Sequence, residues 1–70
     1  MKLLVNGEPR ECAVETVDAL FRLEAEESSI ESPQGVAIAL NGRVLRRRDW
    51  GETPVAEGDR VEIVRAMQGG

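Results

Sequence analysis

The alternation of apolar and polar residues predicts a strand hairpin at the start of the chain. Lys2–Val5 alternates as a strand, and Asn-Gly at positions 6 and 7 favours a tight type I′ turn. The returning strand should run over about residues 8–14. Because Pro9 lacks an amide donor, we expect this second strand to lie at an edge of the sheet.

A helix is predicted next, between about residue 17 and Glu26. Thr16 can cap it through its hydroxyl, and Asp18 suits the positive end of the helix dipole. Apolar residues then recur at helical spacing on one broad face, at Val17, Leu20, Phe21 and Leu23. The serines, proline and glycine of residues 28–35 indicate a loop, with Ile30 packed back onto the core.

The second half of the chain predicts another hairpin and a last strand. Val36–Leu40 and Arg43–Leu45 flank a second Asn-Gly turn at positions 41 and 42. Trp50 and Val55 fall in a stretch that we predict to be irregular, closing one end of the core. A turn at residues 57–59 precedes a last strand over residues 60–66, and residues 67–70 should form a mobile Gly-Gly tail.

This order of elements predicts an α+β fold in two layers. One helix can cover one face of one mixed sheet of four to five strands, and the right-handed crossover rule allows the last strand to lie parallel to the first. That arrangement is the ubiquitin-like β-grasp. We therefore expect a single β-grasp domain over residues 1–66, followed by the tail at 67–70.

Strand alternation assigns the apolar side chains to two faces of the predicted sheet. The set expected to face the helix is Leu3, Val5, Ile38, Leu40, Val61 and Ile63. The set expected to face away is Leu4, Ala37, Ala39 and Val64. A sheet face open to water usually carries polar side chains, so this apolar face predicts a partner surface rather than scattered exposed residues. The predicted contacts are Leu4, Ala39, Val64 and Met67.

Composition excludes several classes of function. The chain has 70 residues, 41% hydrophobic and 31% charged, with a net charge of −4, which argues against nucleic acid and suits a basic protein surface. It contains one cysteine and no histidine, so an internal disulfide, a zinc site and Cys-His catalysis are not expected. We expect Cys12 to be a half-buried strand residue and the basic run of Arg43 with Arg46–Arg48 to be solvated surface. Without an apolar run long enough for a membrane span or a signal peptide, the expected location is the cytoplasm.

The last two residues, Gly69 and Gly70, offer a different kind of chemistry. Without Cβ atoms, they would let the terminal carboxylate enter a narrow channel in another protein. Reaction of that carboxylate with the α-phosphorus of ATP would give an acyl-adenylate, and a sulfur nucleophile would then give a thiocarboxylate. No step requires a side chain of this protein. We therefore predict Gly70 as the site of covalent attachment, Gly69 as the residue that gives access, and no catalytic residue.

The segments AIALNGRVLRRRDW and EGDRVEIVRAMQGG resemble the thiamine-biosynthesis sulfur carrier family, known as ThiS. The resemblance covers nearly the whole chain, and its most specific marks are Asn41-Gly42, Arg47, Trp50, Gly58-Asp59 and Gly69-Gly70. The chain departs from the family pattern at Arg46, where many members have proline. The resemblance implies a carrier that is adenylated at Gly70 and donates sulfur for the thiazole ring of thiamine.

The same resemblance implies the partners. A ubiquitin-activating-enzyme-like adenylyltransferase would use ATP and magnesium, a cysteine desulfurase would supply sulfur, and thiazole synthase would receive it. The carrier itself would bind no cofactor, metal, nucleic acid or membrane, and it would not be an enzyme.

Other functions compatible with this fold and tail remain open. The small subunit of molybdopterin synthase shares both, and so does a carrier for cysteine or another thio-metabolite. A ubiquitin-like protein modifier would instead join Gly70 to a lysine of another protein. In a plain interaction module, the tail would have no role.

Overall fold

The computed structural model describes residues 1–28 and 34–65. Its elements are five strands, one α-helix and one 3₁₀ helix: β1 Lys2–Val5, β2 Glu8–Glu11, α1 Val17–Ser28, β3 Val36–Leu40, β4 Arg43–Leu45, the 3₁₀ helix Arg47–Glu52 and β5 Arg60–Arg65. No helix in these two ranges is long and apolar enough to cross a membrane.

The strands form one mixed sheet in the order β2-β1-β5-β3-β4. β5 lies parallel to β1, and every other neighbouring pair is antiparallel. The predicted α+β fold, a ubiquitin-like β-grasp with a mixed sheet of up to five strands on one helix, is confirmed. Pro9 lies in β2 at an edge of the sheet, where its missing amide donor leaves no ladder bond unmade.

The second strand is shorter than predicted. It ends at Glu11 instead of Val14, because the chain leaves the sheet there to reach the start of the helix. The backbone amide of Cys12 still donates to the carbonyl of Met1 over 2.9 Å, and its side chain lies in the core with 7% of its surface exposed. The prediction of a half-buried strand residue at Cys12 is therefore wrong in both respects.

The start of α1 is fixed by two sets of hydrogen bonds. The hydroxyl of Thr16 accepts from the amide of Ala19 over 3.1 Å, which confirms the predicted cap. The amide of Val17 donates to the carbonyl of Thr53 over 2.9 Å, so the segment after the 3₁₀ helix is joined to the helix start. At its other end α1 continues to Ser28, two residues beyond the predicted end at Glu26.

The stretch around Trp50 is a 3₁₀ helix rather than an irregular connection. Trp50 is 2% exposed, and its ring lies 5.1 Å from that of Phe21 on α1. The hydroxyl of Thr53 donates to the carbonyl of Asp49 over 2.6 Å and closes the C-terminal end of this element. The core between helix and sheet consists of Leu3, Val5, Cys12, Val17, Leu20, Phe21, Ile38, Trp50, Val55 and Val61.

Several sequence predictions fall outside the described residues. These are most of the loop at 28–35 with the packing of Ile30, the end of the last strand at residue 66, the domain boundary after it, and the tail at 67–70 with the predicted contact Met67.

Candidate functional site: the outer face of the sheet

The sheet has one face covered by α1 and one face turned away from it, which we call the outer face. Strand register assigns its central members, since residues opposite each other point to the same side. Leu4 lies beside Arg60, Ala39 lies between Glu62 and Val44, and Ala37 lies beside Val64. The outer face is thus defined by Leu4, Ala37, Ala39, Val44, Arg60, Glu62 and Val64.

Burial agrees with the predicted assignment of side chains to two faces. Leu3, Val5, Ile38 and Val61 are buried against the helix, and Leu40 and Ile63 pack against that core. On the outer face Val64 is 57% exposed and Ala37 is exposed. Leu4 and Ala39 are half-buried, because each lies between two neighbouring strands.

Val44 extends the apolar surface and was missed from the sequence. It is 74% exposed and lies directly across from Ala39 in the β3–β4 hairpin. The two-residue Asn-Gly turn fixes the register of that hairpin, so the sequence contained enough information to predict that Val44 lies beside Ala39.

The two Asn-Gly turns hold β5, the strand that carries much of the outer face. Asn6 and Asn41 both have a φ of 52°, a left-handed conformation that asparagine tolerates better than most residues. The side-chain oxygen of Asn6 accepts from the amide of Ile63 over 2.8 Å, and that of Asn41 accepts from the amide of Arg60 over 2.9 Å. Each turn therefore also fixes the central strand, through a side chain.

Two opposite charges interrupt the apolar residues of the outer face. Arg60 and Glu62 are both exposed, and neither forms an ion pair with another of the residues in 1–28 and 34–65. Together with Asn6 and Gly7 they line an open hollow of about 440 Å³.

The basic run lies at the far end of the sheet from β2. Arg46, Arg47 and Arg48 are exposed, as predicted, and they lie at the start of the 3₁₀ helix. None of them forms an ion pair within the described part of the chain. Arg47 also borders a hollow next to Phe21 and Trp50.

The predicted attachment site lies beyond the last described residue. Met67, Gly69 and Gly70 are outside the described residues, so the structure says nothing of them. β5 ends at Arg65, five residues before Gly70. Five residues span at most about 18 Å, so a protein that holds the Gly70 carboxylate must come close to the end of β5.

Within residues 1–28 and 34–65, no three histidine, cysteine, aspartate or glutamate side chains are grouped to hold a metal ion. What the described residues offer is a surface for binding another protein: the uncovered outer face of the sheet, which reaches the end of β5 at Arg65.

Comparisons of sequence and of structure with known proteins both identify the ThiS family. A sequence profile of the ThiS family matches residues 3–70. The curated sulfur carrier protein ThiS of Thermus thermophilus is 36% identical over 66 residues, covering 94% of this chain and 95% of that protein. ThiS of Escherichia coli is 28% identical over the full length of both chains. A crystal structure of thiamine biosynthesis protein ThiS from Geobacter metallireducens superposes with a TM-score of 0.74, at 34% identity and complete coverage of both chains.

Proposed function

This chain belongs to the ThiS family, and on that premise we propose that it is a sulfur carrier of thiamine biosynthesis that works through the carboxylate of Gly70. The observation that carries the proposal is the family match, which runs through Gly69 and Gly70. We place the carrier in the cytoplasm, where it is the co-substrate of other enzymes and has no catalytic residue of its own.

The proposed chemistry has two balanced steps. A carboxylate oxygen of Gly70 attacks the α-phosphorus of ATP, and pyrophosphate leaves as the acyl-adenylate forms. Sulfide then attacks the carbonyl carbon, and AMP leaves as the thiocarboxylate forms. ATP and magnesium bind to a ubiquitin-activating-enzyme-like adenylyltransferase. A cysteine desulfurase supplies the sulfur as a persulfide, a thiol reductant releases it as sulfide and is oxidised to a disulfide, and thiazole synthase accepts the sulfur for the thiazole ring.

The outer face is the proposed docking surface for the activating enzyme. Val44 and Val64 are 74% and 57% exposed, and each lies beside an alanine of β3 on the same face. A contiguous exposed apolar patch of this kind often marks a protein interface. The opposite face of the sheet is covered by α1, and the outer face continues along β5 toward Gly70. The contacts proposed for docking are Leu4, Ala39, Val64 and Met67, with Val44 added.

Gly69 has a separate role in this proposal. A residue without a side chain would let the end of the chain enter a narrow channel leading to the ATP of the activating enzyme.

Intact mass measurement tests the chemistry. The purified protein is incubated with the activating enzyme, MgATP and sulfide, and we expect the mass to rise by the difference between one sulfur and one oxygen atom. A chain lacking Gly70 should show no change, and the Cys12→Ala variant should change as the parent does, because Cys12 is the only other place for a sulfur adduct. The same gain in the chain lacking Gly70 would show that the site is wrong.

The acceptor distinguishes this function from its relatives. Adding thiazole synthase with its carbon substrates should return the thiocarboxylate to the carboxylate, whereas the large subunit of molybdopterin synthase should not. If the chain instead becomes attached to lysines of other proteins, it is a modifier and the carrier proposal fails.

A further inference from the structure

Arg60 and Glu62 lie on the middle strand of the sheet, where a protein that covered the outer face would leave them little contact with water. β5 is the central strand, with β1 on one side and β3 on the other. Across from Arg60 lies Leu4, and across from Glu62 lies Ala39, whose methyl group is too small to cover a carboxylate. The next residue of β5 on this face is Val64. Their strand partners on the outer face are therefore apolar, and the polar residues beside them are the two turn asparagines, Asn6 at the hollow and Asn41 next to Arg60.

Within residues 1–28 and 34–65, no side chain pairs with either charge. The two residues lie two positions apart along the strand, or roughly 7 Å. Both border the open hollow with Asn6 and Gly7, so an incoming side chain has room to reach them. Outside the sheet ladder, the described bonds of Arg60 are made by its backbone: its amide donates to the side chain of Asn41, and its carbonyl accepts from the amide of Asn41. No described bond uses the guanidinium of Arg60 or the carboxylate of Glu62.

A partner that covers the outer face removes water from both groups. A charge that loses its water without gaining an opposite charge is strongly unfavourable, whereas a matched pair at an interface fixes its orientation. An entirely apolar partner surface would therefore be rejected by this face. The accepted surface must bring a carboxylate to Arg60 and a cation to Glu62, in that order along β5.

We propose that Arg60 and Glu62 determine which protein surface can dock, by selecting an apolar patch that carries one basic and one acidic side chain about 7 Å apart. The proposal rests on the docking role of the outer face given above. It adds the chemistry of the complementary surface on the activating enzyme. Because the order of the charges matters, the pair also sets the direction in which β5, and with it the chain end, lies on the partner.

A simpler interpretation is that the two charges only keep an apolar face in solution. That role depends on the presence of charge and not on its order. Exchanging the two residues separates the interpretations, since the variant Arg60→Glu with Glu62→Arg keeps the composition, the net charge and the charged positions of the parent.

The experiment measures binding of each purified variant to the activating enzyme, together with its melting temperature. We expect the exchange variant and Glu62→Lys each to raise Kd about 100-fold, mainly through faster dissociation, with melting temperatures close to that of the parent. The matched control is Glu26→Lys, an equal charge change at an exposed position of α1, which packs on the other side of the sheet. We expect it to change Kd by less than about threefold, and mainly through association.

Each result has a definite meaning. If the exchange variant binds as tightly as the parent, the order of the charges carries no information and the inference is wrong, while docking on the outer face stands. If Glu26→Lys weakens binding as much as Glu62→Lys, the effect is general steering and the inference is also wrong. If the parent itself does not bind the activating enzyme, the proposed function fails and this inference fails with it. Should the exchange variant melt early, Glu62→Gln tests the pairing of Glu62 without reversing the order: a loss of about tenfold is expected, and an unchanged Kd would overturn the inference.

Discussion

Asn41 and Asp59 are joined side chain to side chain across 18 residues of sequence, with the Asn41 amide donating to an Asp59 carboxylate oxygen over 3.1 Å. The other carboxylate oxygen of Asp59 accepts from the amide of Ala56 over 2.8 Å, and the oxygen of Asn41 accepts from the amide of Arg60. The turn between β3 and β4 and the turn before β5 therefore form one hydrogen-bonded unit at the start of the central strand.

Asn41 has two roles, the left-handed backbone of its turn and the side-chain bonds to Asp59 and Arg60, and substitutions should separate them. Asn41→Gly keeps the left-handed turn and loses both side-chain bonds, so we expect it to lower the free energy of unfolding by about 1–2 kcal/mol. Asn41→Ala loses the bonds and also strains the turn, which should add about 1 kcal/mol. Urea unfolding of the two variants measures both effects. Equal stability of Asn41→Gly and the parent would mean that the bonds to Asp59 and Arg60 contribute nothing.

Val61 and Val64 allow the same substitution on opposite faces of one strand. Val61 is 1% exposed and Val64 is 57% exposed. Val61→Ala should lower the free energy of unfolding by about 2 kcal/mol, and Val64→Ala by less than about 0.5 kcal/mol. Val64→Arg should leave the melting temperature nearly unchanged and weaken binding to the activating enzyme by about 2 kcal/mol or more. An unfolded Val64→Arg variant would contradict the assignment of faces, and normal binding would contradict the docking surface.

Gly69→Val tests access at the chain end. Among the described residues, the buried core runs from Leu3 to Val61, and we expect a substitution eight residues beyond Val61 to leave thermal unfolding unchanged. A β-branched side chain next to the reacting residue should still abolish adenylation, because it is too wide and too stiff for a narrow channel. Release of pyrophosphate in the presence of the activating enzyme measures the step. Gly69→Ala should be intermediate, and normal kinetics for Gly69→Val would contradict the role assigned to Gly69.

Arg10 joins β2 to the helix through ion pairs with Glu24 and Glu27. The side chain of Glu24 is only 16% exposed, so Arg10→Ala leaves a largely buried carboxylate without its cation. We expect a loss of about 1–2 kcal/mol in the free energy of unfolding, and a smaller loss when Glu24→Gln is added.

The exposed pair of Arg22 and Asp18 on the same helix is the control, measured with the same kind of double-mutant cycle. Its atoms lie 3.0 Å apart, but the arginine side chain is 79% exposed, so its coupling should be below about 0.5 kcal/mol. Equal coupling in the two pairs would show that burial at Glu24 has no effect on the interaction.

The features that could be predicted from the sequence are those decided by neighbours along the chain. Asn-Gly at positions 6 and 41 fixed both hairpins, and the helical spacing from Val17 fixed the helix. The 3₁₀ helix around Trp50 could not be predicted in this way, because a single large apolar residue has no period. Its conformation follows from packing against Phe21, a contact between distant parts of the chain.

The candidate site was predictable to a similar extent. Alternation identified the apolar residues of the outer face, but the matching of Glu62 with Ala39 depends on which strands become neighbours. The side-chain bonds from Asn6 to β5 depend on the same topology and leave no local signal. Residues predicted for covalent chemistry, Gly69 and Gly70, remain predictions.

Trp50 gives the molecule an optical reporter on the side of the sheet opposite to the proposed docking surface. The chain contains one tryptophan and no tyrosine, so its near-ultraviolet emission comes from a single indole ring, enclosed with Phe21 beneath the helix. That emission should shift to longer wavelength when water reaches the core. Substitutions on the outer face lie on the far side of the sheet and should leave the emission of the folded protein unchanged. Unfolding of each variant can therefore be followed without a dye, and without a label on the face where a partner would dock.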